Sequence, residues 1–136
     1  MSDFRKVTDT FSVASQLGLA DLAIAKAEGF KTIICNRPDA EDGEDQPTIE
    51  SMQAEAESLG LSFLALPFAG GPSPEIARQQ GELIEAADQP VLAYCRSGTR
   101  SITAWALSQS GQGKGTQIIE AARNAGYDLS GLTSYL

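Results

Sequence analysis

The chain has no histidine among its 136 residues and only two cysteines, Cys35 and Cys95. The first absence excludes every mechanism that needs an imidazole base, Ser-His-Asp hydrolysis and Cys-His proteolysis included. The second argues against a secreted disulfide framework and leaves too few soft donors for a zinc centre. Bases are scarce as well, 10 against 18 acids, for a net charge of −8. A nucleic-acid surface is not expected on that balance, because a phosphate backbone would be repelled and no basic stripe compensates. No apolar run approaches the roughly 20 residues of a membrane helix. The opening Met1-Ser2-Asp3-Phe4-Arg5-Lys6 leads into no signal-type apolar core. No metal or cofactor is expected, and a reducing cytoplasm is the expected compartment.

What is present is an ordinary globular composition, 42% hydrophobic and 21% charged. Residues 1–136 are expected to form one domain with its own core. Phe4 to Val13 reads as one opening strand or two short ones, and Leu19 to Glu28 as an alanine-rich helix stopped at Gly29. Lys31 to Cys35 is rich in β-branched residues and reads as a buried strand. Asn36 to Pro47 is a polar, acidic loop, longer than mere connection requires. Thr48 caps a helix to about Leu59, and Leu61 to Leu66 is a strand. Ser73-Pro74 opens a helix to about Ala87. Pro90 to Tyr94 is an apolar strand, and helices follow over 100–110 and 116–125. Strand and helix therefore alternate. That order predicts an α/β three-layer sandwich, a mostly parallel sheet of four to five strands with helices on both faces.

In such sheets ligands bind beyond the carboxyl ends of the strands. Cys95 stands there, between a strand and a helix, at the head of Cys95-Arg96-Ser97-Gly98-Thr99-Arg100. A loop of this kind turns backbone N–H groups inward as an anion-binding nest, and the helix dipole adds positive charge. Arg96, Ser97, Gly98 and Thr99 are the expected anion-binding residues. Arg100 can return its planar fork to two oxygens of a tetrahedral anion. The same field favours the thiolate of Cys95 without any base. The substrate is therefore expected to be anionic, a phosphate ester or a sulfur-containing anion.

Three further groups carry chemistry. Arg37, Asp39, Glu41 and Asp42 lie just past the strand at 31–35, on what should be the active-site side. Asp39 is the preferred general acid, with Glu75 as the alternative. Arg37 either helps bind the anion or orients the acidic loop. Cys35 is either a core residue or a resolving thiol for Cys95. Ile102, Trp105 and Leu107 fall at helical spacing as core anchors.

The run Tyr94-Cys95-Arg96-Ser97-Gly98-Thr99-Arg100-Ser101 resembles the active-site loop of cysteine-dependent phosphatases and of rhodanese-type sulfurtransferases. With Gly29 to Asp39, Pro90 to Cys95 and Ala121 to Leu129, nearly the whole chain resembles the bacterial β-lactamase-hydrolase-like, phosphatase-like domain family. That resemblance implies a protein-tyrosine-phosphatase-like fold and attack by Cys95 on phosphorus, with Arg100 stabilising the developing charge. It also implies that Ser101 hydrogen-bonds the thiolate. Two departures keep a second chemistry open. Four residues separate Cys95 from Arg100, against five in the phosphatase pattern, and Tyr94 stands where phosphatases carry histidine. The shorter loop is the rhodanese pattern, in which Cys95 would carry a persulfide. A non-catalytic module that binds anions or phosphoproteins is the third possibility.

Overall fold

The computed structural model describes residues 3–136. Two short strands, β1 (Arg5–Thr8) and β2 (Phe11–Ala14), form an antiparallel hairpin. They are followed by α1 (Leu19–Ala27), β3 (Thr32–Cys35), α2 (Ile49–Ser58), β4 (Ser62–Ala65), α3 (Pro74–Ala86), β5 (Val91–Tyr94), α4 (Thr99–Leu107) and α5 (Gly115–Asn124). Short 3-10 turns occupy Gly43–Asp45 and Ser130–Tyr135. The sheet order is β1-β2-β5-β3-β4, with β2, β5, β3 and β4 mutually parallel and β1 the antiparallel edge. The chain is thus an α/β fold of five strands, mostly parallel, flanked by helices.

Helix starts follow from their caps. Thr48 Oγ1 accepts from the Ser51 N–H and Ser73 Oγ from the Ile76 N–H, both at 3.1 Å, with Pro74 in the first turn of α3. Several expected boundaries move. The helix after the loop begins at Thr99, not Arg100, and ends at Leu107 because 108–113 unwinds through turns containing Gly111 and Gly113. The last helix starts one residue early, at Gly115.

Strand alternation builds the two cores. Val91 and Ala93 join Ile34, Ile102, Trp105 and Ile118 on the face covered by α3, α4 and α5. Leu92 and Tyr94 join Ile33, Cys35, Leu22 and Met52 on the face covered by α1 and α2. Leu22, Ile33, Met52 and Leu92 are fully buried, each contributing roughly 1.5–3 kcal/mol. Gly81 lets α3 lie tightly on α4, since a Cβ there would sit 2.7 Å from Ser108 Cβ. Of the expected anchors on α4, Ile102 and Trp105 are buried and Leu107 is only half-buried. Central strand β5, paired to β2 on one side and β3 on the other, ends directly at Cys95.

Candidate active site

The site grows out of the carboxyl end of β5. The Cys95 N–H reaches the Ala14 carbonyl at the end of β2 (3.4 Å), and the Gln16 N–H reaches the Arg96 carbonyl (3.2 Å). These bonds stitch the start of the loop to the neighbouring strand. The loop then turns at Gly98, whose φ of 91° lies in the left-handed region that glycine adopts without a Cβ penalty. That turn aims the Gly98 N–H inward, and it donates to Cys95 Sγ at 3.1 Å. Cys95 is 1% exposed, so its sulfur faces the nest rather than bulk water. Ser97 Oγ donates to Thr99 Oγ1 (3.0 Å) and accepts from the Thr99 N–H (3.4 Å), while Arg96 lies exposed. Tyr127, from the segment after α5, closes the outside by donating from Oη to the Ser97 carbonyl at 2.8 Å.

Arg100, in the first turn of α4, is gripped from two directions. Its Nη1 donates to the Phe68 carbonyl (2.9 Å) and to Glu41 Oε2 (2.9 Å), and its Nη2 to Glu41 Oε1 (2.7 Å). Glu41 and the nearby Cys95 sulfur both favour its charged form, Glu41 most strongly. Arg37 is only 3% exposed and is held by two side chains: Nε bonds Glu41 Oε1 (2.8 Å) and Nη1 bonds Gln16 Oε1 (3.0 Å). These contacts tie Arg37 to the acidic loop. The hydrogen bond from Arg100 and that from Arg37 hold the Glu41 carboxyl down at about 2, against an opposing push from burial.

Asp39 sits elsewhere in that loop. Its Oδ1 accepts from the Ile49 N–H at 2.8 Å, satisfying the first turn of α2, and this is its one hydrogen bond among the described residues. Glu75 pairs with Arg78 on the exposed face of α3. Ser101 is fully buried, yet its Oγ has no hydrogen-bond partner among the described residues. The expected bond from Ser101 to the Cys95 sulfur is therefore not made. The sulfur takes the Gly98 N–H in its place.

Cys35 is buried beside Tyr94, its register partner on β5, and its thiol donates to the Arg37 carbonyl at 3.3 Å. Burial pushes its pKa up, opposed by the hydrogen bonds with Tyr94 and Arg37. Burial likewise pushes the Tyr94 phenol up, with Cys35 adding to the effect.

Behind the loop, Asn36 and Gln80 form a buried amide pair. Asn36 Nδ2 donates to Gln80 Oε1 (3.0 Å) and Gln80 Nε2 returns a bond to Asn36 Oδ1 (2.9 Å). The remaining donors reach the Leu66 and Ser101 carbonyls, tying β3, α3 and α4 together. Neither this pair nor Tyr127 carries a local motif. Gln80 falls on the apolar stripe of α3, and that misplaced amide is the one signal the sequence offers.

A cavity of about 970 Å³ lies between α3, α4 and the C-terminal turn, lined by Pro74, Gly81, Trp105, Ser108 and Tyr135. None of residues 95–100 reaches it. Chemistry, not volume, marks the site. Among the described residues no cluster of three or more carboxylate or cysteine side chains could hold a metal ion, and no helix is long and apolar enough to cross a membrane.

The chain is similar to proteins of known sequence and structure. It is 30% identical over 135 residues to the beta-lactamase hydrolase-like protein of Agrobacterium fabrum, a match covering 96% of this chain and 31% of that protein. The chain thus spans about a third of the length of such relatives. A candidate phosphatase from Neisseria meningitidis superposes with a TM-score of 0.86 at 32% identity, covering 98% of this chain and 96% of the other. The core catalytic domain of the PP-IP phosphatase SIW14 from S. cerevisiae shares the fold, with a TM-score of 0.69 at 16% identity over 99% of this chain and 86% of that one. Residues 3–112 match the family described as beta-lactamase hydrolase-like protein, phosphatase-like domain. With the Cys95 to Arg100 loop at the end of β5 and this match over most of its length, the chain belongs to that phosphatase-like family.

Proposed function

We propose that this chain is a cysteine-dependent, phosphatase-like hydrolase with Cys95 as nucleophile. The observation that carries the reading is the inward Gly98 N–H on Cys95 Sγ at the N-terminus of α4, with Arg100 alongside. Sulfur attacks phosphorus, the S–P bond forms, and the ester P–O bond breaks. Loop N–H groups and Arg100 balance the charge on the non-bridging oxygens. Water then cleaves the cysteinyl-phosphate and frees phosphate. Of the two acids flanking Ala40, Asp39 is bonded to the start of α2 and Glu41 is held down at about 2, so neither is poised to protonate the leaving oxygen. The reading therefore favours substrates whose leaving group departs as a stable anion, such as aryl phosphates.

A second reading has its own support. The loop has one residue fewer than the phosphatase pattern, and sulfur transfer needs no general acid. The thiolate would attack the outer sulfur of thiosulfate, forming a persulfide and releasing sulfite, and a second thiol would then take the sulfur.

Intact-protein mass spectrometry separates the two. An acid-quenched reaction with an aryl phosphate should trap phosphate on Cys95, whereas thiosulfate should add one sulfur atom there. Cys95→Ser should abolish either product with the melting temperature unchanged. Arg100→Lys should be nearly as severe, because a point charge cannot replace the fork. Turnover that survives Cys95→Ser excludes both covalent routes. Phosphate held without turnover would leave a binding module.

A further inference from the structure

The Arg100 fork is already filled by a side chain of the same molecule. Glu41 meets its two terminal nitrogens at 2.9 and 2.7 Å, a bidentate contact of the kind a phosphate or thiosulfate would make. The loop is built to present that carboxylate. Ala40, the residue before it, has a φ of 63°, a left-handed conformation that costs a non-glycine residue energy. Buried Gln46 braces the loop by donating to the Pro38 carbonyl (2.8 Å) and accepting from the Asp42 N–H (3.1 Å). Asp39 pins it to α2. Glu41 is therefore anchored on both sides in sequence.

We propose that Glu41 is an internal competitor for Arg100, a carboxylate that an incoming oxyanion must displace before the loop can hold it. The geometry says which partner moves. Arg100 stays, because the Phe68 carbonyl holds its Nη1 independently of Glu41. Glu41 has a second cation to retreat to, since Arg37 Nε bonds it at 2.8 Å and is itself fixed by Gln16. Displacement exchanges one anion for another on the same fork, and the carboxylate keeps half of its ion pairing. Glu41 thereby sets how strongly an oxyanion must bind to engage the site, which bears on either chemistry of Cys95.

The inference rests on the loop being an anion site, and calorimetry of the full chain with inorganic phosphate tests the two separately. Glu41→Gln and Glu41→Ala should each bind phosphate tighter than the unmodified protein, on the order of tenfold, corresponding to about 1.4 kcal/mol. Adding Arg100→Lys to Glu41→Gln should erase most of that gain. Asp42→Asn, which removes a neighbouring carboxylate that does not touch Arg100, should give little. Equal or weaker binding in both Glu41 variants overturns the competition alone. A gain from Asp42→Asn as large as from Glu41→Gln overturns it too, as diffuse charge. Phosphate bound by neither the unmodified protein nor the folded Glu41 variants overturns the anion site itself.

Discussion

Tyr127 and Gly98 occupy one another's space: a Cβ at Gly98 would lie 2.1 Å from Tyr127 Oη, the atom that holds the Ser97 carbonyl. The loop needs glycine there twice over, for its backbone angle and for this contact. Arg5 completes the arrangement by stacking 5.6 Å from the centre of the Tyr127 ring.

Gly98→Ala should therefore destabilise the protein by roughly 2–4 kcal/mol, combining the strained φ with displacement of Tyr127. Tyr127→Ala alone should cost less. The double variant should be milder than the sum, because the collision disappears while the backbone strain persists. Urea denaturation of the four proteins measures this. Strict additivity would mean that Tyr127 does not brace the loop.

Glu41 makes acid stability predictable in sign. Its carboxyl is depressed from 4.5 to about 2, so the ion pairs with Arg100 and Arg37 stabilise the fold fully above about pH 4.5. That contribution is lost as pH falls toward 2. Melting temperatures of the unmodified protein and Glu41→Gln should differ most at neutral pH and converge between pH 4.5 and 2. A constant gap across that range would show that the pairing does not shift the carboxyl.

The Asn36–Gln80 pair should behave as a unit. Gln80→Leu leaves the buried Asn36 amide short of partners, a loss of about 1–3 kcal/mol. Asn36→Leu should cost a similar amount. The double variant should fall well short of the sum in a double-mutant cycle, because the second change removes the orphaned group left by the first.

Cys35 is expected to stay reduced. Its thiol is buried, and that burial outweighs its hydrogen bonds and shifts it upward, which opposes thiolate formation. Peptide mapping after mild peroxide should find oxidation at Cys95 and an unmodified Cys35. A Cys35–Cys95 disulfide in that map would restore Cys35 as a resolving thiol.

Much of the fold was legible because its signals are local. Gly29 and Gly60 end helices, Thr48 and Ser73 begin them, and β-branched runs mark β3, each acting within a few residues of its own position. The loop from Cys95 to Arg100 was legible for the same reason, since cysteine, glycine and arginine lie within six consecutive positions. The partners of that loop were not. Glu41 lies 59 positions from Arg100, and Tyr127 lies 30 from Ser97. Asp39 and Glu41 are both acids of one polar loop, and the turn at Ala40 decides which of them faces the guanidinium.

By itself, then, the sequence determined the alternating α/β order, the strand that ends at Cys95 and the arginine-flanked turn that follows it. Only the tertiary structure decided that Arg100 rests on Glu41, that Asp39 serves a helix and that Tyr127 shuts the loop. Hydrogen-bond competition at close quarters chooses among chemically equivalent groups, and that choice depends on which backbones the packed sheet brings within 3 Å.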